Sequence, residues 1–119
     1  MSEHQAEYKK RDQRFWDVVA LKKPDQVPLM PMLDFFPAKY SGITVEEAMT
    51  KPESMIAAWL KYLDDFQPDR AENPFPLRGF APLLAALDFQ HLKWAGHGLP
   101  SDMPYQFVEL EMMKADEYD

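Results

Sequence analysis

Apolar residues in this chain come in short clusters, and prolines stand between most of them. Phe15, Val18 and Val19 recur at helical spacing, with Trp16 and Leu21 beside them, which predicts a helix over 9–21. Lys22 and Lys23 place positive charge in its last turn, and Pro24 stops it. Val27 to Leu33, VPLMPML, is almost wholly apolar and predicts a short buried strand. Pro28 and Pro31 cannot donate to a ladder, so that strand has one compromised edge. An acid, Asp34, follows, and then an aromatic loop, Phe35 to Tyr40.

Thr44-Val45-Glu46-Glu47 has the spacing of a capping box and predicts a short helix over 44–49. Thr50-Lys51-Pro52-Glu53 repeats it and opens a helix over 52–66, striped by Met55, Ile56, Trp59, Leu60, Leu63 and Phe66. Beyond Pro68, residues 69–73 predict a second, more polar strand, and 73–76 a loop. Residues 79–87 predict a helix with Phe80, Leu83, Leu84 and Leu87 on one side. A third strand is expected over 91–94, then a loop with two glycines around His97. Tyr105 to Met112 alternates loosely as a strand would, although its Glu, Leu and Met also favour helix. From Lys114 the chain opens a helix with acids in its first turn and no apolar face, which predicts a piece of a longer protein.

The order helix, buried strand, polar-ended loop, helix is how a β/α barrel begins, with its chemistry in the loops after the strands. The expected fold is therefore α/β: the N-terminal portion of a TIM (β/α)8 barrel, its first two or three β/α units following an N-terminal helix. Residues 1–8 are expected to form a polar tail and 9–119 the barrel segment.

Composition narrows the classes. Apolar residues make up 46% of the 119, ordinary for a folded protein. No apolar run approaches the ~20 residues that cross a bilayer, and the polar N-terminus lacks the core of a signal peptide. Cysteine is absent, which removes disulfides, thiolate metal sites and a cysteine nucleophile and fits a reducing, cytoplasmic setting. A net charge of −7 argues against a general nucleic-acid binder. There is no P-loop, GxGxxG, GxSxG or zinc-finger spacing.

The stretch Arg14-Phe15-Trp16-Asp17, followed by Lys23-Pro24-Asp25-Gln26-Val27-Pro28, resembles the N-terminal opening of the uroporphyrinogen decarboxylase superfamily. The segments PMLDFFPAKYSGIT, KYLDDFQPD, WAGHGLP and MKADEYD are similar to its methyltransferase-like branch. The resemblance runs along nearly the whole chain in short motifs. It implies a single TIM barrel, which needs about 250 residues, so that this chain would supply the first units only. It implies methyl transfer to or from a corrinoid (cobalamin) carried by a partner protein, a small-molecule substrate, and zinc bound by a histidine and cysteines in a later part of the barrel. The decarboxylases carry an arginine pair in a motif like MRQAGRY. Here the matching stretch, MLDFFPAKY, has only Lys39 and an acid at Asp34, which disfavours porphyrinogen decarboxylation, the lyase chemistry of the superfamily. A small non-catalytic binding or assembly domain, or one half of a split barrel, is the alternative. An incomplete barrel is expected to self-associate or to take a complementing chain.

Asp34, at the end of an apolar run, is the candidate base or substrate anchor, or else a turn acid. Phe35, Phe36, Lys39 and Tyr40 are candidate substrate-binding residues, against ordinary packing under a loop. Glu72 and Asn73, at the end of the second predicted strand, read as polar substrate contacts or as a surface turn. His97, between Gly96 and Gly98, is a second catalytic candidate or a simple turn histidine. No metal site is expected in this chain, because His4, His91 and His97 are scattered and no thiolate is present.

Overall fold

The computed structural model describes residues 3–73, 80–111 and 113–117. Its element order is α1 (Glu3–Val19), α2 (Phe36–Ser41), α3 (Val45–Thr50), α4 (Pro52–Phe66), α5 (Ala81–Ala86), β1 (Leu92–Ala95), β2 (Gly98–Leu99), β3 (Tyr105–Phe107) and a 3-10 turn at Ala115–Glu117.

α4 spans the residues its apolar stripe predicts. Pro52 sits in the first turn, where it has no helical hydrogen bond to lose, and Gln67 closes the helix in a left-handed conformation, donating to the Leu63 carbonyl at 3.1 Å. The buried face is narrower than the predicted stripe. Met55, Ala58, Trp59 and Tyr62 are buried, whereas Ile56, Leu60 and Phe66 are exposed. α4 packs on the short helices α2 and α3, which cover only a thin arc of it.

The capping boxes fare differently. Thr44 Oγ1 accepts from the Glu47 N–H at 3.1 Å and starts α3 as its spacing requires. Thr50 does not cap α4. Its hydroxyl donates to the Glu46 carbonyl at 2.7 Å, and Lys51 takes the N-cap position. The aromatic loop is also not a loop. Phe36 to Ser41 forms α2, with Pro37 in its first turn and Gly42 (φ +78°) ending it.

The barrel expectation is overturned. The segment 27–33 forms no strand: Val27 and Met32 are 78% and 90% exposed, and 69–73 is not a strand either. The two segments still touch. The Asp69 and Arg70 N–H groups both donate to the Leu29 carbonyl, while Leu29 N–H donates to Asp69 Oδ2 and Leu33 N–H to Glu72 Oε1. Prolines at 28 and 31 withhold the donors a regular ladder would need, and side-chain carboxylates substitute for backbone partners. The sheet that does form lies later in the chain, open and three-stranded in the order β2-β1-β3, with β1 antiparallel to β3 and parallel to β2. Among the described residues no repeated β/α unit occurs.

The predicted helix over 9–21 begins earlier, at Glu3, inside the stretch expected to be a tail. Its apolar side is mostly uncovered: Trp16, Val18 and Val19 are exposed, and Arg14 is its buried residue. Loop residues 74–76, Gly79, Met112 and the end of the last predicted helix lie outside the described residues.

One core joins the helices to the sheet. Phe35, Ala38, Val45, Met49, Met55 and Trp59 meet Ala81, Leu92 and Trp94 in a single buried cluster. The chain around it is flat, 61 × 41 × 20 Å, with a radius of gyration of 19.3 Å. A compact chain of this length would have about 13–14 Å.

Candidate functional site

The side chains that converge come from the segment before α2, from α2 itself and from α4. The extended run 28–33 forms one wall of an open cleft of about 480 Å³, and Phe36, Tyr62 and Phe66 form the other. Helical spacing places Tyr62 and Phe66 one turn apart on α4. Their rings stack at 5.1 Å, Phe36 stands edge-on to both at about 6 Å, and Tyr40 stacks behind Phe36 at 5.8 Å. Tyr40 is fixed in turn. Its hydroxyl donates to Asp65 Oδ2 at 2.9 Å, and Lys61, ion-paired to the same carboxylate, holds its ammonium 4.5 Å from the Tyr40 ring centre. The hydrogen bonds from Lys61 and then Tyr40 hold the Asp65 carboxyl below its usual range, and burial pushes the Tyr62 phenol up.

The sequence candidates divide around this cleft. Phe36 lines it, and Tyr40 backs it. Asp34 sits in the turn that enters α2, at φ +47° and exposed, next to the lining residue Leu33. Glu72 reaches the same place, accepting from the Leu33 N–H at 2.9 Å. Lys39 and Asn73 are exposed, the former in the last turn of α2. Phe35 turns the other way and is 3% exposed in the core. His97 joins none of these. It lies in the turn between β1 and β2, stacked on Trp94 at 4.1 Å, with reciprocal backbone hydrogen bonds locking the two residues together. Gly96 (φ +74°) allows that turn and lets the Glu46 side chain lie where a Cβ would stand.

A second feature was not legible in the sequence. Arg14 is buried between two carboxylates. It binds Asp25 in a two-pronged pair, Nε to Oδ1 at 2.7 Å and Nη2 to Oδ2 at 2.9 Å, and Nη1 meets Asp69. The hydrogen bond from Arg14 holds the Asp25 carboxyl at about 2, against an ordinary 3.8. Arg11 adds bonds to the Gln67 and Pro68 carbonyls, and Arg70 pairs with Asp12 and covers the Phe15 ring at 3.7 Å. Arg11, Asp12, Gln67, Pro68, Asp69 and Arg70 line a polar cleft of about 720 Å³ between α1 and 67–71. The sequence carries the partners, Arg11 and Arg14 on α1 and Arg70 facing it, with Asp12, Asp25 and Asp69, but nothing local brings them together.

Among the described residues no three His, Asp or Glu side chains converge on a point that could hold a metal ion. No helix among the described residues is long and apolar enough to cross a membrane.

The described residues thus define a helix-rich chain with a small open sheet, an aromatic cleft and a polar clamp on its first helix. No family model, curated protein or solved structure matches it.

Proposed function

We propose that this chain contributes to a cytoplasmic uroporphyrinogen decarboxylase-like enzyme of the methyltransferase branch, working with a corrinoid carried by another protein. One observation supports this reading. Two of the segments that carry the resemblance, PMLDFFPAKYSGIT and KYLDDFQPD, are separated along the chain by residues 45–60, yet Phe36 from the first and Tyr62 and Phe66 from the second wall one cleft. Such a cleft, mostly apolar with carboxylates at its edge, suits a small substrate held against the flat apolar face of a corrin ring. Asp34 and Glu72 would orient the polar end of that substrate. The corrinoid would supply the methyl-carrying cobalt. The described residues supply binding and orientation.

Equilibrium dialysis against methylcobalamin, read by corrin absorbance, tests the assignment. Saturable binding is expected in the wild type and its loss in Phe66→Asp. Equal corrinoid on both sides at millimolar concentration would remove the corrinoid from the proposal.

A second reading, an assembly role, has its own observation. The run Val27, Leu29, Met30 and Met32 is exposed along an extended segment that belongs to no sheet. Light scattering behind gel filtration is expected to show a species larger than 13.9 kDa that Met32→Glu shifts to the monomer mass. A monomeric wild type at high concentration would discard this role.

A further inference from the structure

Ring faces carry negative quadrupole charge and attract cations, most strongly where water is thin. The aromatic cluster at the cleft already holds one cation: the Lys61 ammonium stands 4.5 Å over the Tyr40 ring. Arg70 does the same over Phe15 at 3.7 Å. Phe36 and Phe66, 44% and 50% exposed, line open space instead, with the buried Tyr62 ring packed behind them and Met30 and Leu33 across the cleft. The two exposed rings stand at 76° to one another, with Tyr62 stacked on Phe66 and edge-on to Phe36, so they bound a corner rather than a flat patch. Polar surface is scarce within the cleft, so a strongly hydrated ammonium would lose more water there than the rings return. A methylated ammonium carries its charge on an apolar shell and escapes that penalty. The chain's net charge of −7 adds a general field that favours a cation over an anion.

We propose that the Phe36–Tyr62–Phe66 corner is a binding site for a quaternary ammonium group. Choline is the probe, and 3,3-dimethyl-1-butanol, which has the same shape and no charge, is its control. In NMR titrations of the labelled full chain, choline is expected to shift the resonances of 29–36 and 62–66 saturably. The neutral control should bind at least about fivefold more weakly. Phe66→Leu keeps an apolar side chain at a half-exposed position and removes one ring face. It is expected to fold, to retain the control's affinity and to lose most of the preference for choline. Equal affinity for both probes would reduce the cleft to an apolar groove and overturn the proposal. Shifts confined to other residues, or no saturation, would overturn it as well. None of these outcomes depends on whether methylcobalamin binds, so the two readings fail separately.

Discussion

Arg14→Met is expected to release α1 from the rest of the chain. The substitution keeps a long side chain but leaves Asp69, whose side chain is 5% exposed, without its cation, and strands Asp25 beside it. A buried carboxylate stripped of its partner is among the most damaging changes a small protein can suffer. α1 has little apolar contact to fall back on, because Trp16, Val18 and Val19 are exposed and the helix is held mainly by arginine. The urea midpoint followed by circular dichroism is expected to fall by roughly half, and limited proteolysis should cut first within α1. An unchanged midpoint would mean the clamp is ornamental. The same pair sets an acid limb. The folded-state Asp25 carboxyl, at about 2, lies below its ordinary 3.8, so its contribution is complete above the ordinary value and is lost as pH falls from there towards 2. Arg14→Met should abolish that limb, since Arg14 itself stays charged throughout.

Trp59→Ala is expected to cost about 3–5 kcal/mol. Trp59 is 4% exposed on the buried face of α4, within the cluster that joins α2, α3 and β1. Its ring lies 6.2 Å from that of Tyr62, so the cavity would open directly behind the cleft. In a flat chain with one small core, little surrounding structure can collapse into the gap. Leu60→Ala, one position along the same helix but 60% exposed, is the internal control and should stay within about 0.5 kcal/mol. Chemical denaturation of both variants provides the comparison. A small loss at Trp59 would mean that α4 is a surface helix and that the core lies elsewhere.

Local chemistry explains what could be read in advance. α4 was legible to its ends because proline and a dense apolar stripe act within a single turn, and Thr44 was legible because a hydroxyl three residues before an N–H can cap without outside help. β1 was legible within one residue of its bounds. The barrel was not, because it requires 27–33 to find a strand partner. Pairing is a long-range property. Leu29 does meet Asp69 and Arg70, but two prolines and the side chains of Asp69 and Glu72 turn that contact into something other than a ladder.

The candidate site shows the same division. The sequence by itself determined that Asp34 and Phe36 would stand together, since they are neighbours, and that Tyr62 and Phe66 would share a helix face, since they are four apart. Whether those pairs meet depends on the turn at Asp34 and on how α2 lies across α4, and only the tertiary structure decided it. It also decided that Phe35 faces the core while Phe36 faces the cleft, that His97 belongs to Trp94, and that an arginine in the middle of a polar helix is buried. Periodicity along a chain reports which residues share a face. What that face will touch is set by chain segments dozens of residues away, and by whether charge or apolar surface waits there.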